Sequence, residues 1–149
     1  MPGASHLIVS ALARREDSLL LVEQQGPWDP KPSWMLPGGR VEADETLLVA
    51  LERELAEETG LALDGIPAIA FAVDLLTDDG WYSALTFDCR VDGVLGPNDP
   101  DGFVRSAAWI PSAQAVDRLR VVEWYDCLPI ERYLSGEASS GAMYRMDRT

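Results

Sequence analysis

Arg53, Glu54, Glu57 and Glu58 are the residues whose types and spacing could do chemistry in this chain. At about 100° per residue on a helix, the three glutamates fall within one arc of roughly 100°. Leu47, Leu48, Leu51 and Leu55 fill the neighbouring arc, so one helix would bury leucines and carry three carboxylates at its edge. Like charges three and four residues apart destabilise a bare helix by a few tenths of a kcal/mol per pair. A hard divalent cation turns that repulsion into ligation, because carboxylate oxygens are the ligands it takes. Arg53 stands one turn before Glu57 and can pair with it or hold a neighbouring acid in place. A charged, solvated face is the plain alternative for such a cluster taken alone.

The wider spacing weighs against that alternative. Gly39, five residues, Glu45, seven residues, then Arg53-Glu54-Leu55-x-Glu57-Glu58-x-Gly60-Leu61 fixes nine positions. At ordinary residue frequencies a chance match at a given start is of order one in a billion. The pattern resembles the Nudix box, G-x5-E-x7-R-E-U-x-E-E-x-G-U, with Leu55 and Leu61 in the bulky aliphatic places U. Its flanks agree. Trp34-Met35-Leu36-Pro37-Gly38-Gly39 is similar to the family's approach to the box, and Ala107-Ala108-Trp109-Ile110-Pro111 to its late strand.

The resemblance implies a metal-dependent hydrolase of phosphoanhydride bonds in a nucleoside diphosphate linked to another moiety, or in a nucleoside triphosphate. It implies an α+β fold, a Nudix-type α/β/α sandwich with a mixed sheet. On this likeness Glu57 and Glu58 match the main metal ligands and Glu54 a further ligand sometimes assigned as base. Arg53 matches the orienting arginine. The carbonyl near Gly38 and Gly39 joins the coordination, and Glu45 supports the metal shell. A further acid outside the box would come from Asp99 or Asp101 in Pro97-Asn98-Asp99-Pro100-Asp101-Gly102, with Glu123 a weaker candidate. An acidic turn explains Asp99 and Asp101 equally well. Trp28, Trp34 and Tyr82 are candidates for stacking on a substrate, with core packing as the bland alternative. Trp28 stands out for a pocket role, because it sits among the prolines of Gly26–Pro32. A non-catalytic sensor module on the same fold is the rival reading, but such modules usually lose box glutamates and all are present here. Diphosphate isomerisation and DNA-binding regulation have no specific support. The sub-signatures of the ADP-ribose, dinucleoside polyphosphate and NADH hydrolases are not met, so the substrate stays open.

Composition fits a carboxylate site. The chain has 149 residues, 47% hydrophobic, with a formal net charge of −13, which suits one domain. Such a charge disfavours a nucleic-acid polymer or an anionic membrane as partner. A small phosphorylated metabolite remains compatible where a cation inverts the local charge. With a single histidine, His6, and two cysteines, Cys89 and Cys127, multi-histidine zinc and triad chemistries are poorly supported. The expected cation is Mg²⁺ or Mn²⁺. No apolar run suggests a leader or a membrane span, so a cytoplasmic protein is expected; a homodimer stays open.

The elements that must position these residues read as follows. Leu7–Ala13 and Leu19–Val22 are strands joined by the turn Glu16-Asp17-Ser18, and Trp34–Leu36 is a short strand broken by Pro37-Gly38-Gly39. Asp44–Thr59 is a helix, with Asp44 as N-cap and Gly60 at its C-terminal end. Ile66–Leu76 and Trp81–Arg90 are strands, Gly93–Gly102 a loop, and Phe103–Ile110 a strand. One helix opens at Pro111-Ser112 and a last one covers Val122–Leu134. Residues 1–5 and 136–149 read as loose tails around a single domain.

Overall fold

A computed structural model describes residues 4–122 and 127–149; Glu123 and the first part of the expected last helix lie outside the described residues. The strands are β1 (Ala4–Arg15), β2 (Ser18–Gln24), β3 (Ser33–Met35), β4 (Gly38–Arg40), β5 (Ala62–Leu63), β6 (Ala68–Thr77), β7 (Gly80–Cys89), β8 (Val91–Asp92), β9 (Val104–Pro111) and β10 (Ala142–Asp147). The helices are α1 (Leu47–Thr59), α2 (Ser112–Arg120) and α3 (Leu128–Ser135). β1 organises the mixed sheet. It runs parallel to β7 over Ala4–Ala13, and antiparallel to β4 at Ile8–Ser10 and to β2 at Arg14–Arg15. β6 pairs antiparallel with β7, and β2 is flanked by β3 and β9. β5 and β8 form a separate small ladder.

The central strands are buried on both faces, which is why Leu19-Leu20-Leu21-Val22 is an unbroken apolar run rather than an alternating one. Val9, Ala11, Ala13 and Leu20 pack with Leu51 and Leu55 of α1. Leu12, Leu19 and Leu21 point the other way, to Ala115 and Leu119 of α2 and Ile130 of α3. The result is a sheet between helices, an α+β sandwich. No helix among the described residues is long and apolar enough to cross a membrane.

Three expectations need correction. Asp44 does not cap α1. It lies in a turn closed by the Glu45 amide donating to the Glu42 carbonyl (3.1 Å), and Thr46 caps instead, its hydroxyl accepting from the Val49 amide (3.3 Å). Leu48 is exposed; the buried stripe is Ala50, Leu51 and Leu55 with Leu47 half-buried. The described parts of the two tails are not loose: Ala4 and Ser5 open β1 opposite Gly80 and Trp81, and in the C-terminal segment β10 pairs in parallel with β6, Ala142 opposite Phe71 through Asp147 opposite Leu76. Its alternation of half-buried and exposed residues lets an otherwise polar segment add a strand at the sheet edge.

Candidate active site

Burial of Leu51 and Leu55 anchors α1 with about 1.5–3 kcal/mol per side chain, which outweighs the few tenths lost per like-charge pair on its other edge. Gly60 ends the helix in the left-handed conformation (φ 77°), and its amide donates to the Ala56 carbonyl (3.0 Å). The acidic edge therefore faces β4 with fixed geometry. Arg53 lies at its centre. Its Nε and Nη2 donate as a fork to Glu45 (2.6 and 2.8 Å), its Nη1 to Glu54 (3.0 Å) and Glu57 (3.4 Å), and its Nη2 also to the Arg40 carbonyl (3.2 Å). One guanidinium thus ties α1 to β4 and to the turn before the helix. The fork holds the Glu45 carboxyl down at about 2, chiefly through the hydrogen bonds from Arg53. Glu45 in turn fixes where the Arg53 guanidinium lies.

Glu58 is different. It is 7% exposed, and its Oε1 accepts from the Gly38 amide at 2.8 Å. Burial pushes its carboxyl up to about 8 against that hydrogen bond, helped by the nearby charges of Glu54, Asp99 and Glu57. Burial raises Glu54 as well, against the pull of Arg53. Gly39 leaves the room that the Glu54 carboxyl fills: a Cβ there would lie 2.8 Å from Glu54 Cδ and push that carboxyl aside. Glu54, Glu57 and Glu58, with Asp99 in electrostatic range, thus concentrate negative charge on hard oxygen donors around one arginine. Among the described residues no three acids already converge as a ligand set. Glu54 and Glu57 are turned towards Arg53, and Glu58 towards the Gly38 amide. The donor set still fits a hard divalent cation, because a bound cation favours the ionised carboxylates against the burial and, second to it, the mutual repulsion that raise Glu54 and Glu58.

The two loop acids separate. The Gly93–Gly102 loop is fastened to the end of α1 by the Gly96 amide on the Thr59 carbonyl (2.9 Å) and the Asn98 amide on the Glu57 carbonyl (2.8 Å). That holds Asp99 close enough to act on Glu54 and Glu58. Its own oxygens cap the turn, accepting from the Asp101, Phe103 and Val104 amides at 2.9–3.2 Å. Asp101 is exposed at the tip.

On the face of the sheet away from α1 lies a cavity of about 310 Å³. Gly38 and Gly39 belong to its wall and at the same time touch Glu58 and Glu54. Of the three candidate aromatics Tyr82 lines it, with Arg40 Cζ 5.9 Å from the ring centre. Trp28 does not: it is 94% exposed, because the loop closes on itself through the Gly26 amide and Asp29 (2.8 Å) and leaves the indole outside. Nor does Trp34, whose ring packs on the core beneath the Arg118 guanidinium at 4.8 Å. Sequence reasoning missed Gln24, Phe71, Met146 and Arg148, all part of the wall. The period-two pattern on β6 could have shown Phe71, Val73 and Leu75 as one face; nothing local marks Met146 or Arg148.

The NUDIX domain profile matches residues 4–128. The chain is 33% identical over 94 residues to a nudix hydrolase of Caenorhabditis elegans, 63% of this chain and 25% of that one. It is 28% identical over 116 residues to the human 8-oxo-dGDP phosphatase NUDT18, 77% of this chain and 35% of that protein. It thus spans about a quarter to a third of those two relatives. With the phosphatase NudJ of Escherichia coli (strain K12) it shares 25% identity over 132 residues, 89% of this chain and 85% of the other. The fold is that of a NUDIX hydrolase from Nitrosomonas europaea (TM-score 0.75, 22% identity, covering 92% and 93% of the two chains) and of a MutT protein from Methanosarcina mazei Go1 (0.73, 24%, 93% and 99%). The profile covers most of the chain and the box runs complete from β4 through α1 to Leu61, so this protein belongs to the Nudix hydrolase family.

Proposed function

We propose that the protein is a metal-dependent hydrolase that cleaves a phosphoanhydride bond in a nucleoside diphosphate derivative or a nucleoside triphosphate. The observation that carries this reading is the double role of Gly38 and Gly39, which belong to the cavity wall and to the carboxylate edge at once. A substrate seated in the cavity would thereby present its phosphates to Glu54, Glu57 and Glu58.

Glu54, Glu57 and Glu58 would hold Mg²⁺ or Mn²⁺, which supplies neutralisation of phosphate charge and activation of water. The chain's own residues do the rest. Arg53 fixes the angles of Glu54 and Glu57 and binds β4 to α1. Glu54, raised by burial, can accept a proton from the attacking water, since a base of modest strength suffices there. The Gly38 amide keeps Glu58 aimed at the β4 edge. Tyr82, Phe71 and the apolar wall accept the organic moiety and exclude water. The human relative's name specifies a nucleoside diphosphate substrate, which supports the substrate class.

The test is a screen of nucleoside triphosphates, 8-oxo-dGDP, nucleotide sugars and dinucleotides with added Mg²⁺ or Mn²⁺, read by phosphate or nucleotide release. Turnover that vanishes on chelation and returns with metal is expected. Full activity after exhaustive chelation, or no cleavage across the panel, overturns the reading.

A further inference from the structure

A glutamine in the cavity wall keeps hydrogen-bonding capacity that the fold does not use. Gln24 ends β2 after the buried apolar run Leu19–Val22. The ladder with β9 slips at that point, with Glu23 opposite Ser106 but Gln24 opposite Val104. A bulge of this kind breaks the regular ladder and re-aims the side chain beside it. Gln24 is half-buried and shares the wall with Met35, Leu36 and Phe71. Its Nε2 donates to the Met35 thioether at 2.8 Å. A thioether accepts but cannot donate, so this contact decides which end of the amide faces Met35. Oε1 is left on the other branch of the amide, and no hydrogen bond from any described residue reaches it.

Both halves of that arrangement bear on a ligand. The thioether is a weak acceptor, so it steadies the amide without satisfying it. Oε1 is a strong acceptor beside Met35 and Leu36, which have no side-chain donor to give it. A ligand that fills the cavity displaces water from this oxygen. It then binds well only if it brings a donor of its own, because an acceptor desolvated without a partner is costly.

We propose that Gln24 is a specificity-determining residue that reads the nucleobase, its Oε1 accepting an N–H of an exocyclic amino group. The inference rests on the reading of the substrate as a nucleotide, and it narrows the base to adenine, cytosine or guanine. An amino group stands clear of the ring and brings a donor to a single acceptor. The ring N–H of uracil or thymine is flanked by two carbonyls instead. One of them can take the second N–H of Gln24, but Met35 and Leu36 offer the other no side-chain donor, and leaving it unmet costs affinity.

The test uses matched pairs of nucleoside diphosphates that differ by one amino group: ADP against purine riboside diphosphate, CDP against zebularine diphosphate, and GDP against IDP. Wild type, Gln24→Met and Gln24→Glu are compared by KM and kcat with Mg²⁺, and by calorimetric Kd with Mg²⁺ and with chelator. In at least one pair wild type should favour the amino-bearing member by about three- to tenfold, the discrimination one neutral hydrogen bond gives. Gln24→Met keeps the length of the side chain and removes both polar atoms, so it should erase that ratio through KM with kcat little changed. Gln24→Glu keeps an acceptor oxygen and should keep the ratio, although its charge weakens both members of a pair alike. A wild-type ratio near one in every pair, a ratio that Gln24→Met leaves intact or Gln24→Glu erases, or no binding of any of these nucleotides overturns the proposal. A ratio seen in Kd without any hydrolysis upholds it and refutes the hydrolase reading, whereas hydrolysis without a ratio does the reverse.

Discussion

The carboxylate edge of α1 and the cavity wall meet at Gly38 and Gly39, but they are held together by opposite physics. The edge comes from one stretch of chain, and its arrangement costs stability: Glu58 is almost buried with its carboxyl pushed up to about 8, and one guanidinium, that of Arg53, is shared among Glu45, Glu54 and Glu57. The wall is drawn from residues as far apart as Ile8 and Arg148, and much of it is apolar surface left open to the cavity, which a bound ligand would cover. A region that stores electrostatic strain answers to charge and pH. A region built from many strands answers to shape, and each side chain carries only a share. Substitutions in the first should therefore change the chemistry, and those in the second should change affinity.

The largest expected effect is on the edge. Glu57→Gln or Glu58→Gln keeps the side-chain shape and removes a ligand charge. Turnover on the best substrate should fall by on the order of 10²–10³, the scale of losing one electrostatic stabiliser in an active site. Folding should survive, since the carboxamide oxygen introduced by Glu58→Gln can still accept from the Gly38 amide. Kinetics alongside melts without metal check both halves. Near-normal rates in both variants would return these acids to a plain solvated face and erase the contrast between the regions.

The metal-free protein should also show the stored strain as a pH dependence. Glu58 binds its proton more tightly when folded, at about 8, than at its ordinary 4.5. Its contribution is fully present below about 4.5 and is lost as pH rises through about 8. Glu45 has the opposite sign: held at about 2, it contributes above its ordinary 4.5 and loses that as pH falls towards 2. In chelator the melting midpoint should therefore decline from pH 5 to pH 8. Glu58→Gln should flatten the decline and raise the midpoint at pH 8 by roughly 4 °C, corresponding to about 1–2 kcal/mol. Added Mg²⁺ should restore the wild type at pH 8. A flat wild-type profile between pH 5 and 8 would show that Glu58 is not strained.

The two regions also differ in how far the chain announces them. Nine spaced residues and the leucine stripe made the edge legible, because α1 fixes relative positions through a local period. The longer strands of the sheet centre were legible as apolar runs, and α1 was misjudged at its start, where Thr46 caps in place of Asp44, and at Leu48, which is exposed. The wall was not legible. Met146 and Arg148 sit in a polar tail with no apolar run, and only the tertiary pairing of β10 with β6 makes that tail a strand. Trp28 failed for a related reason. Proline density argued for a rigid loop, but which side of the loop faces the cavity depends on the Gly26–Asp29 closure, which no local pattern specifies.

The smallest effect decides between two aromatics. Tyr82 presents its ring in the cavity, with the Arg40 guanidinium 5.9 Å from the ring centre and His6 at 5.1 Å. Trp28 offers a larger ring to solvent. Stacking of a base on an aromatic ring contributes about 1–3 kcal/mol, so at the lower end Tyr82→Ala should raise KM about five- to tenfold. The loss should appear in KM with kcat little changed, because a stacked base is bound alike in ground and transition states. Tyr82→Phe should keep most of the affinity, which separates ring contact from the hydroxyl. Trp28→Ala should leave KM within about twofold, in the range of surface substitutions away from packed features. Steady-state kinetics of the three variants on one substrate is enough. If Trp28→Ala raises KM more than Tyr82→Ala does, the proline loop closes over the substrate and the division of labour between edge and wall must include it.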